Sequence, residues 1–472
     1  MNELPIIDNE EFRDSIATVD EKGGRVWIYP KKPSGKFYTW RIYLSWILLA
    51  LLFGMPFLKV NGEPFLLFNI IERKFILFSI VFTPQDMHLF ALAMLTLMVF
   101  IVLFTVVFGR LFCGWVCPQT IFMEMVFRRI EYWIEGDANQ QRKLNKGLWT
   151  SKKFGQKLLK HSIFFAIAVL IANTFLAYII GIDEVKRIIS EPVNAHIIGF
   201  STMLIFSAVF YSVFAFFREQ VCVVVCPYGR LQGVLLIQQS IVVIYDWIRG
   251  EPRGKIRKSQ QESESQQDLG DCIDCKLCVH VCPTGIDIRH GTQLECVNCT
   301  ACMDACDEVM EKINRPAGLI RYDSHSNIEK GVSKILNARV WAYGAVLIIL
   351  ILFQSYLFNT RSDVESLLLR TPGMLYQEVD NNKISNLYNY QFVNKTNETI
   401  EDVELKLVGI EGDIKIVGSI PDVPKMEMVK GALFIEIDRD LLKGRKNKLK
   451  LEVYSKGIKI DQLSTNFLGP VK

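Results

Sequence analysis

The chain has 472 residues, half of them hydrophobic and 22% charged, with a net charge of +4 and a mean hydropathy of +0.21. One core does not grow to that length, so about three modules are expected. The apolar excess points to a membrane protein with soluble parts, and the small net charge gives no sign of a nucleic-acid partner.

The first 38 residues hold no long apolar run, so no cleavable signal peptide is read there. A bilayer takes about 20 apolar residues to cross, and the first run of that kind lies at 39–59. Residues 64–82 are apolar but broken by Glu72, Arg73 and Lys74, and read as an interfacial or re-entrant segment. A second span is expected at 88–109, opening on His88. CGWVCP follows it, with Cys113 and Cys117 four residues apart ahead of a proline. On a helix this spacing puts both thiols on one face.

The next loop is rich in Arg and Lys: Arg110, Arg128, Arg129, Arg142, Lys143, Lys146, Lys152 and Lys153. After a third span at 161–181 the short loop has only Lys186 and Arg187. Positive charge favours the cytoplasmic side, so the first loop is expected inside and the second outside. The fourth span, 195–217, includes His196 near its start and leads to CVVVCP, with Cys222 and Cys226. The two CxxxCP units read as a repeat, with Arg110 ahead of one and Arg218 ahead of the other. Four soft thiolates suit Cu(I), zinc or iron–sulfur ligation; small buried residues at a helix contact are the alternative. His88 and His196 open spans on the expected outer face, where they are candidate copper or haem ligands, although histidine is also ordinary at a membrane interface. Residues 231–248 are apolar but interrupted by Gln232, Gln238, Gln239 and Asp246, and read as interfacial.

A polar linker at 250–270 leads to the densest signal in the chain. Cys272, Cys275, Cys278 and Cys282 are followed by Cys296, Cys299, Cys302 and Cys306, each quartet spaced C-x2-C-x2-C-x3-C. In the two-cluster ferredoxin pattern the fourth cysteine of each run serves the other cluster. Cys272, Cys275, Cys278 and Cys306 are therefore expected to hold one [4Fe–4S] cluster, and Cys282, Cys296, Cys299 and Cys302 the second. Structural zinc favours pairs over such triplets, and disulfides need an oxidising compartment. Cys306 is followed by Asp307 where Cys282 is followed by Pro283; no ligand is lost.

A fifth span is expected at 339–358. Beyond about residue 370 short polar–apolar alternations such as VELKLVG, GALFIEID and KLKLEVYS predict an antiparallel β-sandwich without cysteine. The predicted architecture is a bundle of about five transmembrane helices, an inserted two-cluster ferredoxin (α+β) module and a C-terminal immunoglobulin-like β-sandwich. Its divisions are 1–38, a cytoplasmic segment; 39–249, four spans with both CxxxCP motifs; 250–338, linker and cluster module; 339–358, the fifth span; and 359–472, a periplasmic sandwich. Lipid is an expected partner and nucleic acid is not. A homodimer is the default expectation.

Several stretches together resemble the cytochrome c oxidase accessory protein family CcoG (FixG/RdxA): RVWIYPKKPSGKFYTWR, FCGWVCPQT, VVCPYGRLQGV, the cysteine run 271–310 and NLYNYQFVNKTNETIEDVELKLVG. The likeness runs over about residues 25–470. It implies a multi-pass protein of the bacterial inner membrane, with two [4Fe–4S] clusters and transient copper. Its implied role is that of an oxidoreductase converting Cu(II) to Cu(I) for assembly of a cbb-type cytochrome c oxidase, with Cys113, Cys117, Cys222 and Cys226 as the reacting thiols. Partners would be that oxidase or its copper-delivery factors, and an electron donor the sequence does not identify. A quinone-linked subunit of a respiratory reductase and a non-enzymatic assembly scaffold remain open beside it.

Overall fold

The computed structural model describes residues 18–19, 22, 24–60, 63–69, 74–78, 80–82, 86–255, 269–331, 337–360, 362, 364–371, 375–379, 382–396, 398–420, 422–425 and 427–470. Most of the linker read at 250–270, and Glu72 and Arg73, lie outside them. The chain falls into two units, one made of most of the residues up to Leu352 and the other of Phe353 onward with the short segments 61–63 and 80–83.

Among the described residues five helices are long and apolar enough to cross a membrane: Lys36–Phe57, Met87–Phe108, Ser151–Ile180, Ile197–Phe217 and Ala338–Asn359. Each overlaps a span expected from hydropathy. The first begins with helix α1 (Lys36–Gly54), and its start is capped from far along the chain. The Asp304 carboxylate accepts from the backbone N–H of Phe37 (3.1 Å) and Tyr38 (2.8 Å). An acidic group here satisfies two orphan donors and complements the helix dipole. Within the stretch 64–82 read as interfacial or re-entrant, the described residues include two short strands. Strands β1 (Leu66–Asn69) and β2 (Lys74–Leu77) pair antiparallel.

Helix α2 (Met87–Phe108) leads through Gly109 into the short helix α3 (Leu111–Trp115). A π-helical segment (Ile121–Phe127) then runs into α4 (Arg128–Ile134). Phe122, Met123, Met125 and Phe127 are buried, and Phe127 stacks on Phe214 at 4.5 Å. Met123 and Met125 are thus packing residues. Helix α5 (Ser151–Ile180) packs beside α6 (Ile197–Ser212). Beyond α6 the chain turns through Val221–Val225 into α7 (Pro227–Leu235).

The interfacial reading of 231–248 is overturned. Strand β3 (Val242–Tyr245) is buried at all four positions and pairs antiparallel with β4 (Ile320–Asp323) inside the cluster module. A short apolar run carries no periodicity that separates a buried strand from a membrane segment. Between these strands lies α8 (Ala301–Lys312), which carries Cys302 and Cys306. The strap 25–35 crosses both the module and the helices. The Lys31 N–H donates to the His280 carbonyl (2.8 Å), and the Tyr132 hydroxyl donates to the Pro30 carbonyl (3.1 Å).

In the second unit, β5 (Val364–Arg370) and β6 (Gln377–Val379) pair with β7 (Lys383–Asn394). Strands β8 (Val403–Val408), β9 (Asp413–Ile416), β10 (Met428–Asp438), β11 (Lys446–Ser455) and β12 (Ile458–Leu468) follow. One sheet runs β9-β10-β7-β5 with β6 on β7, and the other runs β8-β11-β12. Alternate residues Tyr388, Tyr390 and Phe392, Leu433, Ile435 and Ile437, and Leu449, Leu451 and Val453 meet in one core. That is the period-two burial of a sandwich. The alternations read from sequence fall on β7 through β12; β5 and β6 were not anticipated.

The remote cap is testable. Asp304→Ala is expected to cost about 1–2 kcal/mol and to speed amide exchange at Phe37 and Tyr38, followed by hydrogen-exchange mass spectrometry.

Candidate functional site

Backbone turns explain how three closely spaced thiols face one point. In the first run Asp274 and Lys276 flank Cys275 with φ of 49° and 58°; in the second, Asn298 and Thr300 flank Cys299 with φ of 52° and 64°. The left-handed turns recur at equivalent positions, and Asp and Asn tolerate them best among residues with side chains. Cys272, Cys275, Cys278 and Cys306 line a cavity of about 350 Å³ together with Tyr245, Arg289 and Ile320. Cys282, Cys296, Cys299 and Cys302 line a second cavity of about 350 Å³ with Val243, Pro283 and Thr284, and Cys278 reaches its wall. Cys302 and Cys306 stand one turn apart on α8, roughly 6 Å along its axis, so one helix serves both cavities.

These residues fit [4Fe–4S] clusters. Burial pushes the thiols of Cys278, Cys296 and Cys306 up to about 12, so these three would be held protonated without a ligand. A bound metal cluster reverses that balance by coordinating the thiolates. Among the described residues no three Cys, His, Asp or Glu side chains converge tightly enough for a single ion. Each quartet instead lines one shared cavity, the arrangement that ligands of a multi-atom group require.

The CxxxCP units form a backbone repeat. Gly109 follows the first span segment with φ 55° and ψ −129°, and Arg218 follows the other with φ 54° and ψ −126°. Cys117 and Cys226 are both extended residues ahead of a helix whose first residue is proline. Each repeat thus starts four residues before its first cysteine. This corrects the match of Arg110 with Arg218: Arg218 corresponds to Gly109, and Arg110 to Glu219. The Cys113 thiol donates to Gln232 Oε1 (3.0 Å), and the Gly229 N–H donates to Cys226 Sγ (3.4 Å). Burial, helped by the neighbouring Cys117 and Cys226 and opposed by Arg110, pushes Cys113 up to about 12. Burial does the same to Cys222, with Cys117, Cys113 and Cys226 adding to it. The four thiols therefore lie within one another's electrostatic reach.

A buried ion-pair clasp joins the repeats. Arg218 holds Glu131 through two bonds of 2.8 Å, and Arg128 Nη2 reaches Glu219 at 3.4 Å. Lys160 of α5 adds contacts to Glu131 (3.6 Å) and Glu135 (2.9 Å). Burial alone would push the Glu131 carboxyl up, but Arg218, Lys160 and Arg128 together hold it below its ordinary value. Arg218 occupies backbone space normally left to glycine, at a cost of about 1–3 kcal/mol. The clasp is the interaction made in return.

Other expected residues fall outside this centre. His196 Nε2 pairs with Glu191, and His88 sits in the first turn of α2. Among the described residues neither joins a three-residue metal-binding group. The Trp115 Nε1–H donates to the Tyr322 hydroxyl (3.0 Å). Sequence reasoning missed Arg41, Gly114, Glu131 and Tyr322, because nothing local marks them.

Residues 217–325 match the family model described as "4Fe-4S dicluster domain", and 90–155 match "4Fe-4S binding domain". Residues 355–470 match the model for the IG-like fold at the C-terminus of FixG. Protein RdxA of Cereibacter sphaeroides is 37% identical over 301 residues, which is 62% of each chain. Protein RdxB of the same organism is 32% identical over 393 residues, covering 79% of this chain and 80% of that one. Nitrogen fixation protein FixG of Rhizobium meliloti is 34% identical over 306 residues, covering 64% of this chain and 57% of that one. The matched region thus spans less than two thirds of RdxA and of FixG.

Two outcomes test the geometry. Cys306→Ser should abolish the electron paramagnetic resonance signal of one reduced cluster and spare the other, while Cys302→Ser should do the reverse; loss of the same signal in both variants would refute the crossover. Glu131→Gln leaves Arg218 buried without its carboxylate and should cost about 3–5 kcal/mol in thermal unfolding of the full chain. Because the carboxyl is held below its ordinary value, the wild-type contribution persists above the usual carboxylate range and is lost only as pH falls through the folded-state value.

Proposed function

The chain belongs to the RdxA, RdxB and FixG family of iron–sulfur electron-transfer proteins, and from that premise we propose that it is a cupric reductase serving assembly of a cbb-type cytochrome c oxidase. The observation that supports this reading is that Cys113 and Cys222 each lie within electrostatic reach of Cys117 and Cys226, with Cys113 beside the second cluster quartet. Cys113 packs against the apolar group formed by Val281, Val297, Cys299 and Ala301.

Bound [4Fe–4S] clusters supply one-electron storage and transfer. Cys272, Cys275, Cys278 and Cys306 would hold one, and Cys282, Cys296, Cys299 and Cys302 the other. Copper is the substrate: Cu(II) accepts one electron and becomes Cu(I). Soft sulfur favours the reduced ion, so the four thiols both receive copper and stabilise the product. Burial keeps Cys113 and Cys222 protonated in the absence of copper, so binding displaces protons from these thiols. The clasp fixes the two pairs relative to each other, and Gln232 and Gly229 orient individual sulfurs.

The excess of Arg and Lys in 110–160 supports placing the cluster module and both thiol pairs on the cytoplasmic side of a bacterial inner membrane. The sandwich beyond the fifth span then lies in the periplasm, where it docks the oxidase or a copper-delivery factor. The proposed division of labour keeps the limits read from sequence, with β3 added to the cluster module.

The test is an anaerobic single turnover. Dithionite-reduced protein mixed with Cu(II) should form chelatable Cu(I) as the cluster signals disappear. Cys113→Ala and Cys226→Ala should each slow this by at least about tenfold while both clusters remain reducible. Unchanged copper reduction in both variants would sink the proposal. Oxidation of the reduced protein by a quinone analogue, but not by Cu(II), would favour a quinone-linked subunit.

A further inference from the structure

The two CxxxCP repeats are not equivalent. Between Cys113 and Cys117 the first carries Gly114, where the second carries Val223. A Cβ placed on Gly114 would stand 2.5 Å from the Val297 carbonyl oxygen, 2.6 Å from the Asn298 carbonyl oxygen and 2.8 Å from the Asn298 carbonyl carbon. These are backbone atoms of the loop between Cys296 and Cys299, so no flexible side chain can yield to a methyl group there. Helix α3 therefore lies directly against the peptide chain that presents two thiols of the second quartet.

Two buried arginines fasten this seam. Arg41 donates from Nε to the Gly114 carbonyl (3.1 Å) and from Nη1 to the Cys299 carbonyl (2.9 Å), bridging helix and loop with one guanidinium. Arg110 Nη1 donates to the carbonyls of Leu294 and Cys296, the latter at 3.2 Å. A third link runs from Trp115 to the Tyr322 hydroxyl, which donates in turn to the Asn298 carbonyl (3.1 Å). The first quartet is placed differently. Its cavity is lined from within the cluster module, by Tyr245, Ile273, Lys276, Arg289, Met310, Leu319 and Ile320 beside its cysteines, and Cys275 is exposed.

We infer that Gly114 is a positioning residue that seats Cys113 against the Cys282/Cys296/Cys299/Cys302 quartet, so that this quartet, and not the Cys272/Cys275/Cys278/Cys306 one, communicates with the membrane thiols. The inference rests on the reading of the protein as a copper-reducing electron carrier, and adds the side from which the electron reaches the thiols. The balance is one electron from a one-electron reductant, dithionite in the test, to Cu(II), giving Cu(I). The exposed side at Cys275 is left for the reductant. Carbonyls held at the seam by Arg41, Arg110 and Tyr322 have part of their charge drawn away from the adjacent thiolates, so disturbing the seam alters the electrostatic surroundings of the second quartet first.

Gly114→Ala in the full-length protein, purified anaerobically in detergent, is the test. Gly155→Ala is the control, since nothing lies within 4 Å of a Cβ at that position. Gly114→Ala should leave both clusters reducible by dithionite. It should accelerate amide exchange in 294–300 and alkylation of Cys113, and shift the midpoint potential of the signal that survives Cys306→Ser while leaving that surviving Cys302→Ser in place. Reoxidation by Cu(II) should slow by at least about tenfold, the scale expected when a positioned reaction is displaced by about 1 Å. Where Gly114→Ala does not accumulate, Arg41→Lys keeps the charge but loses the two-point bridge, and should give the same pattern at smaller size. Unchanged exchange, potential and rate in the variant that accumulates would overturn the inference and leave copper reduction standing. A wild-type protein that does not reduce Cu(II) would defeat the copper reading, while the exchange and potential shifts would still judge the seam.

Discussion

The Arg218–Glu131 pair joins residues 87 positions apart in sequence, and the arrangement of the thiol centre depends on it. One partner begins the second CxxxCP repeat, and the other lies on the helix following the first. Both are buried, so each would carry a large desolvation penalty alone. That penalty makes the pairing specific, because few other arrangements of these helices would give either charge a partner. Lys160 brings α5 into the same network, and Arg25 adds the N-terminal strap through Glu219 at 3.4 Å. Four separated segments are thus held to one register at the end of the bundle where the cysteines gather.

Approximate two-fold repetition recurs at two scales. Within the cluster module the left-handed turns at Asp274 and Lys276 repeat at Asn298 and Thr300, giving two similar thiol cradles. At the ends of the second and fourth spans the turn at Gly109 repeats at Arg218. In the CxxxCP repeat chemistry follows from the breaks. Arg218 replaces a glycine and gains the clasp; Gly114 replaces a valine and gains direct contact with a cluster loop. Backbone strain at the first site and a missing side chain at the second are opposite local costs serving the same end, close approach of two sulfur centres.

The cluster module also organises the membrane helices. Asp304, on the same helix as Cys302 and Cys306, caps the first span, so the order of the cluster ligands and the start of that span share one element. Arg41, one turn further into the span, reaches the Cys299 carbonyl. A change in the module is therefore transmitted to the span through hydrogen bonds to backbone, which tolerate little displacement.

Local pattern carried much of this in the sequence. Apolar length located the five helices, because a bilayer span needs a long uninterrupted run. Cysteine spacing divided eight thiols into two crossed quartets, because short loops leave few ways to wrap three sulfurs round one volume. Alternation located most of the sandwich strands, because one face of each is buried. Tertiary structure decided what pattern does not encode. Residues 242–245 became a buried strand because Ile320–Asp323, distant in the chain, supplied its hydrogen-bonding edge. The segments after the two CxxxCP repeats' spans came together because Arg218 found Glu131, and the approach of Cys113 to the second quartet follows the absence of a side chain at Gly114. Each of these depends on which remote group meets a buried charge, an unpaired backbone edge or an open space, and such meetings exist only once the chain has folded.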